Sequence, residues 1–239
     1  MTKAGWQPGW LDETATHLTE PAAWRGVETQ YVSSSLQLVD SHAEHDVLEA
    51  LLETSKPALP SVKTQSQHFL LFTPFRYTPQ HPSRFRALGH LGIWYGAREL
   101  EAACAEVAYW RMRFILDSAG PSQRRLTTHH TFFKAAVEGK GLDLTLPPWN
   151  TFEDAWKNTR DYAETQRLAA AAEAAGIQVI QYASVRAPGR TCFAVFTPEA
   201  LSEPAGGLDP SRQRWTCTAT RDRVLMTQEG GGMRFAWDG

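Results

Sequence analysis

Residues 161–196, DYAETQRLAAAAEAAGIQVIQYASVRAPGRTCFAVF, decide the fold class. Asp161 to Ala175 is alanine-rich and reads as a helix. Asp161 with Glu164 three residues later resembles a capping box, and Gly176 stands where a helix-terminating glycine belongs. Ile177–Tyr182 and Cys192–Phe196 then read as two strands with no helix between them. A doubly wound sheet alternates strand and helix, so this lapse in rhythm favours α+β.

The flanking segments mix strands and helices in the same irregular way. Thr131–Val137 and Leu142–Thr145 predict strands around a turn at Gly139-Lys-Gly141. Glu99 to about Phe114 predicts a helix with an apolar stripe of Leu100, Ala103, Val107, Trp110 and Phe114. Gly92–Gly96 reads as a short strand. His68–Phe72 reads as another, ended by Pro74, and a polar loop with Pro79 and Pro82 follows. Arg212–Asp238 alternates enough for two or three antiparallel strands, turning at Glu229-Gly-Gly-Gly232. Ahead of His68, a Gly-, Pro- and Trp-containing start suggests an irregular arm. Val27–Val32 could be a strand, and Glu44–Thr54 a helix with Val47, Leu48, Leu51 and Leu52 on one side, broken by Lys56-Pro-Ala-Leu-Pro60. The expected organisation is an N-terminal extension, residues 1–67, and a core domain, residues 68–239.

The 239 residues fit one generous domain or a domain with an extension. At 42% hydrophobic and 21% charged the composition is that of a globular chain, which argues against a disordered one. A net charge of −2 without a basic stripe gives no nucleic-acid footprint. Met1–Thr14 has no basic stretch leading into an apolar core, so no signal peptide is read. No apolar run approaches the roughly 20 residues of a membrane helix. The three cysteines, Cys104, Cys192 and Cys217, form no CxxC pair, so neither a zinc site nor a disulfide scaffold is expected and a reducing cytoplasm fits. Nine tryptophans is a high count, and Trp6, Trp10, Trp149, Trp156 and Trp237 lie where they would pin irregular segments.

Familiar catalytic motifs are missing. There is no P-loop, no GxGxxG after a strand and no GxSxG elbow. His42-Ala-Glu-His45 and His129-His130 lack zincin spacing, and structural or solvated histidine is the better account. Unusual chemistry gathers in three other places. Phe75-Arg-Tyr77 through Ser83-Arg-Phe-Arg86 sets three arginines among aromatics; a guanidinium fork matches phosphate oxygens and stacks on rings, though arginines snorkelling over aromatics give the same pattern. Trp94-Tyr95 is followed by Glu106, which helical angles put roughly 80° from the stripe centre, where a carboxylate can look into a cleft or pair with Arg111 or Arg113. Tyr182-Ala-Ser184-Val-Arg186 ends a strand, where a serine hydroxyl can meet a ligand or simply shape a turn.

Taken in order, Phe75-Arg-Tyr77, Ser83-Arg-Phe85, Gly92-Ile-Trp-Tyr-Gly96, Ala105-Glu-Val-Ala-Tyr109, Asp161-Tyr-Ala-Glu-Thr-Gln166 and Tyr182-Ala-Ser184-Val-Arg186 resemble the RES-domain family from about residue 68 to about residue 200. The resemblance implies a split, mixed or antiparallel sheet with flanking helices, similar to ADP-ribosylating toxins, around an NAD+ cleft. It implies an enzyme: the toxin of a bacterial toxin–antitoxin pair that cleaves the nicotinamide–ribose bond, passing ADP-ribose to phosphate, water or a protein. Carried over by position, Glu106, Arg76 and Ser184 become the catalytic candidates, and Arg76, Tyr77, Arg84, Tyr95 and Ser184 the NAD+-binding ones. NAD+ enters as substrate, with inorganic phosphate a candidate acceptor; no separate cofactor and no metal is expected. The implied partner is a helix-turn-helix antitoxin that blocks the cleft. One departure is that Gly189-Arg-Thr-Cys192 lacks the asparagine many members carry. That favours a rival reading, an inactive module that only holds NAD+ or a partner. Protein ADP-ribosylation is the rival within the same chemistry, and structural ion pairing of the arginines and Glu106 is the blandest. Residues 1–65 lie outside the resemblance and could cover the cleft, form a homo-oligomer contact or do neither.

Overall fold

The computed structural model describes residues 5–29, 39–58, 61, 64, 66–117 and 125–238. In chain order the elements are α1 (Trp10–Glu13), β1 (Thr16–Glu28), α2 (His42–Ser55), α3 (Phe69–Arg76), β2 (Trp94–Ala97), α4 (Leu100–Asp117), β3 (Leu126–Asp143), α5 (Glu153–Trp156), α6 (Ala163–Ala174), β4 (Val179–Ala183), β5 (Thr191–Val195), β6 (Leu201–Ser202), β7 (Gln213–Ala219), β8 (Arg223–Gln228) and β9 (Arg234–Asp238).

The spine is β3, 18 residues long. Along one edge it pairs antiparallel with β1, with a bulge between Glu20 and Ala23. Its other edge is shared. β7 takes Leu126–Phe132, β6 takes Ala136 and Val137, and β4 runs parallel to Gly141–Asp143. From β4 the sheet continues antiparallel through β5 to β2, and β2 returns to β1 at Ala97 and Trp24. That half therefore closes on itself, while β7, β8 and β9 form an antiparallel meander on the other half. The sheet is mixed, split along β3 and flanked by helices, which is the α+β class expected.

Because side chains alternate across a strand, β3, β4 and β5 feed two cores. Phe132, Leu142, Ile180 and Ala194 join one, with Met112 and Ile115 of α4 packed into it. Phe133, Val137, Val179 and Phe193 join the other, with Leu71 and Phe75 of α3. The first core also holds the tryptophans of the irregular segments: Trp6, Trp10 and Trp156 each lie within 6.3 Å of Trp149. Trp149 Nε1 donates to Thr14 Oγ1 and Trp156 Nε1 to the Trp149 carbonyl, so these two polar handles are satisfied, whereas the buried Trp6 Nε1 has no partner among the described residues. All three cysteines are buried and free. Burial pushes their thiols up to about 12, 12 and 11 for Cys104, Cys192 and Cys217, so they stay protonated and unreactive.

Five expectations are corrected. The first stretch of residues 1–67 is not an irregular arm: Thr16–Glu28 is a full partner of β3, because a long central strand leaves backbone groups that only another strand can satisfy. Val27 and Glu28 end that strand, and Gln30–Val32 lie outside the described residues. His68–Phe72 is not a strand. His68 caps α3, its Nδ1 accepting from the Leu70 amide at 3.2 Å, and Leu71 and Phe75 are buried one helical turn apart. Gly139-Lys-Gly141 is not a turn, since β3 runs straight through it. A Cβ at Gly139 would stand 2.6 Å from Gln178 Oε1, and one at Gly141 2.5 Å from Leu18 Cδ1, so these glycines admit close neighbours within an extended strand. Last, α4 buries Cys104, Ala105, Ala108, Met112 and Ile115, whereas Trp110 and Phe114 of the expected stripe are about half exposed. The apolar side expected for Glu44–Thr54 is also open: α2 forms, but Val47 and Leu51 are exposed.

At the end of α6, Gly176 adopts φ +72° as a helix-terminating glycine should. At its start the capping box is not formed. Asp161 accepts from the Ala163 amide at 2.9 Å, while Glu164 pairs with Arg167 instead.

Candidate active site

The side of α4 that carries Ala103, Glu106, Val107 and Trp110 is one wall of a cavity of about 540 Å³. That volume lies in the range of small-molecule sites. β1 supplies Trp24 and Arg25, β2 supplies Tyr95, and the loop ahead of β2 supplies Ser83, Arg84 and Arg86. Tyr182 and Arg186 come from the exit of β4, and Tyr162 from the start of α6.

The Ser83–Arg86 turn is held from several sides. Ser83 and Arg86 exchange backbone hydrogen bonds. From α6, Gln166 Nε2 donates to the carbonyls of Ser83 (2.9 Å) and Arg86 (3.1 Å), and the buried Thr165 hydroxyl donates to the Arg84 carbonyl. Tyr95 closes the turn from β2: its hydroxyl bonds Ser83 Oγ at 2.8 Å and accepts from the Phe85 amide at 3.2 Å. Arg84 is thus aimed by a rigid frame. Its Nη1 donates to the carbonyls of Trp156 (2.6 Å) and Asn158 (2.9 Å), and its guanidinium lies 5.0 Å from the Tyr162 ring centre.

Glu106 is half-buried in the opposite wall. Loss of water raises its carboxyl above the usual range, and the Arg186 and Arg84 guanidiniums oppose that shift. Arg186 stacks 3.4 Å from the Tyr109 ring centre. Arg111 and Arg113, the partners the sequence allowed for Glu106, bind Glu28 and Asp117 instead. Five arginines (Arg25, Arg84, Arg86, Arg111 and Arg186) line the cavity against two carboxylates, Glu28 and Glu106, so the site favours an anionic ligand. His130, whose Nε2 meets Thr128 Oγ1 at 2.9 Å, is held down to about 4 chiefly by burial and stays neutral. No group of three potential metal ligands occurs among the described residues, and no described helix is long and apolar enough to cross a membrane.

Of the residues singled out in the sequence, Arg84, Tyr95 and Glu106 share this cavity and Arg76, Tyr77 and Ser184 do not line it. Arg76 ends α3 and its Nε donates to the Pro57 carbonyl at 2.5 Å; Tyr77 is 39% exposed. Ser184 is 2% exposed and shapes the turn, its Oγ accepting from the amides of Arg186 (3.3 Å) and Ala187 (3.0 Å). Its place is to orient Arg186. Tyr109, Tyr162 and Arg186 stood inside the quoted motifs without being given a role, and Arg86 only the general one of an arginine that could match phosphate oxygens. Arg25 was missed altogether: Trp24-Arg25-Gly26 belongs to no motif, and only its pairing partner reveals which way the side chain points.

Comparison with known proteins adds three findings. No curated protein sequence is similar enough to match the chain. Among solved structures, a chain of the M. tuberculosis MbcT-MbcA toxin-antitoxin complex superposes with a TM-score of 0.50 at 14% identity, over 90% of this chain and 92% of that one, a likeness of fold. The RES domain profile matches residues 58–219, which carry the Ser83–Arg86 turn, Tyr95, Glu106 and Arg186. The chain belongs to the RES domain family.

Proposed function

We propose that this protein is an enzyme that cleaves the nicotinamide–ribose bond of NAD+, and that it acts as the toxin of a toxin–antitoxin pair. The observation that carries the reading is Glu106, a half-buried carboxylate in the field of the Arg186 and Arg84 guanidiniums, in a cavity whose lining includes five arginines and four tyrosines. Cleavage breaks the bond between ribose C1′ and the pyridinium nitrogen. The electron pair leaves with nicotinamide, which departs neutral, and positive charge develops on the ribose. A preorganised carboxylate stabilises that charge more than it stabilises the ground state. A phosphate oxygen or a water then adds to C1′; with water, a proton is released. The tyrosine-lined wall suits an aromatic base, and the arginine excess suits a diphosphate.

Incubation of the purified chain with NAD+, with and without inorganic phosphate, and separation of the products by chromatography with mass detection tests the reading. ADP-ribose 1″-phosphate identifies a phosphorylase and ADP-ribose a hydrolase. Glu106→Gln is expected to keep the fold and lose at least about 100-fold in turnover. Intact NAD+ in both conditions overturns the reading. The protein partner expected on the same grounds is a helix-turn-helix antitoxin, supported by the likeness to a toxin from a toxin–antitoxin complex and by the half-exposed Trp110 at the cavity wall.

A further inference from the structure

We propose that Arg25, which binds the Tyr95 carbonyl, and Arg86, in the turn that the Tyr95 hydroxyl closes, form the subsite that receives phosphoryl oxyanions in this cavity. The two arginines share three properties. Both line the cavity. Each has a buried Nε–H without a hydrogen-bond partner. Neither pairs with a carboxylate among the described residues. Arg25 reaches in from β1 beside the Trp94 ring, 5.5 Å from its centre, and donates Nη1 to the Tyr95 carbonyl at 2.8 Å. Arg86 is 9% exposed and donates Nη2 to the His81 carbonyl. One hydrogen bond thus anchors each guanidinium while another donor stays unused.

A buried, unpaired cation with a spare donor is a costly arrangement that an anion relieves. The cost is visible at Arg25, where burial lowers the guanidinium pKa to about 10. The arginines that resemblance alone would nominate are differently engaged: Arg76 lies outside the cavity, and Arg84 Nη1 is committed to two carbonyls. Arg25 also lies ahead of the segment that matches the family profile, so β1 supplies part of the ligand site as well as an edge to β3. In choosing between sources of the oxyanion the subsite rests on the NAD+ reading. The source is either the diphosphate of the dinucleotide or inorganic phosphate as acceptor.

The test measures binding of inorganic pyrophosphate and of inorganic phosphate to the full chain, by calorimetry and by the shift of the melting temperature. Arg25→Met and Arg86→Met are each expected to weaken pyrophosphate binding by about tenfold or more. Arg76→Met should leave it within about twofold. Arg25→Lys and Arg86→Lys, which keep the charge and lose the fork, should fall between, and they serve if a methionine variant does not fold. A merely structural role predicts lower melting temperatures with unchanged pyrophosphate affinity in every folded variant, and that result overturns the assignment, as does wild-type protein that fails to bind pyrophosphate at millimolar concentration. Where NAD+ is turned over, a KM raised for NAD+ alone assigns the subsite to the dinucleotide, and one raised for phosphate alone assigns it to the acceptor. Pyrophosphate binding lost in the variants of a chain that leaves NAD+ intact upholds the subsite and refutes the NAD+ reading.

Discussion

Phe75-Arg-Tyr77 and Ser83-Arg-Phe-Arg86 are near neighbours of similar composition, yet they end in different surroundings. The first closes α3: Phe75 enters a core, Arg76 reaches back to the Pro57 carbonyl, and Tyr77 faces solvent. The second is gripped by Thr165 and Gln166 of α6 and by the Tyr95 hydroxyl, so both its arginines line the cavity. Residue type makes a guanidinium available. The elements packed against its backbone decide whether it faces a ligand.

Substitutions separate the two segments. The largest effect is expected at Arg84. Arg84→Met removes the stacking on Tyr162 and both bonds to the Trp156 and Asn158 carbonyls, and kcat/KM for NAD+ should fall about 100-fold. A rate close to wild type would erase the contrast.

A pH profile sharpens the role of the opposite wall. In the proposed reaction the carboxylate form of Glu106 is the one that stabilises ribose charge, and burial raises its pKa. Activity should therefore drop about tenfold per pH unit below that raised pKa, with an acid limb above the usual glutamate value of about 4.3. The linked stability has the opposite sign. A folded-state pKa above the unfolded one contributes stability below the unfolded pKa, and that contribution is lost as pH rises through the folded pKa. Thermal melts of Glu106→Gln at neutral pH should thus lie at or above wild type, while activity is lost.

Ser184→Ala should cost about tenfold in kcat and about 1 kcal/mol in stability, because two turn amides lose their acceptor and Arg186 loses its fixed approach. Ser184→Thr, which restores the oxygen, should recover part of both. The smallest effect belongs to the first segment: Arg76→Ala should hold turnover within about twofold. A large loss there would mean that α3 helps bind the substrate.

Much of this was legible from spacing. The helix over α6 with its terminal glycine, the strands β4 and β5, and the C-terminal meander with its Gly-Gly-Gly turn follow from local signals that packing did not override. The misread segments share one cause. In α4 the buried face is mostly alanine, and the large aromatics line the cavity or face solvent, so size pointed to the wrong side. In β3 the glycines mark close neighbours, which look like turn residues until Leu18 and Gln178 are placed beside them. Arg84, Tyr95 and Glu106 were found because each stands in a recognisable motif, while Arg25 stands in none.

The sequence by itself determined the α+β class, the order of most elements and the residue types at the site, because hydrophobic period, glycine and proline placement and the ordered motifs are local properties of the chain. Tertiary structure alone decided that β1 joins β3, that the Ser184 hydroxyl binds the Arg186 amide in a turn, and that Arg25 and Arg86 line one cavity. Those outcomes depend on strand register and on contacts between residues as far apart as Arg25 and Tyr95. A one-residue slip in β1 would turn Arg25 to the opposite face of the sheet without altering any local signal.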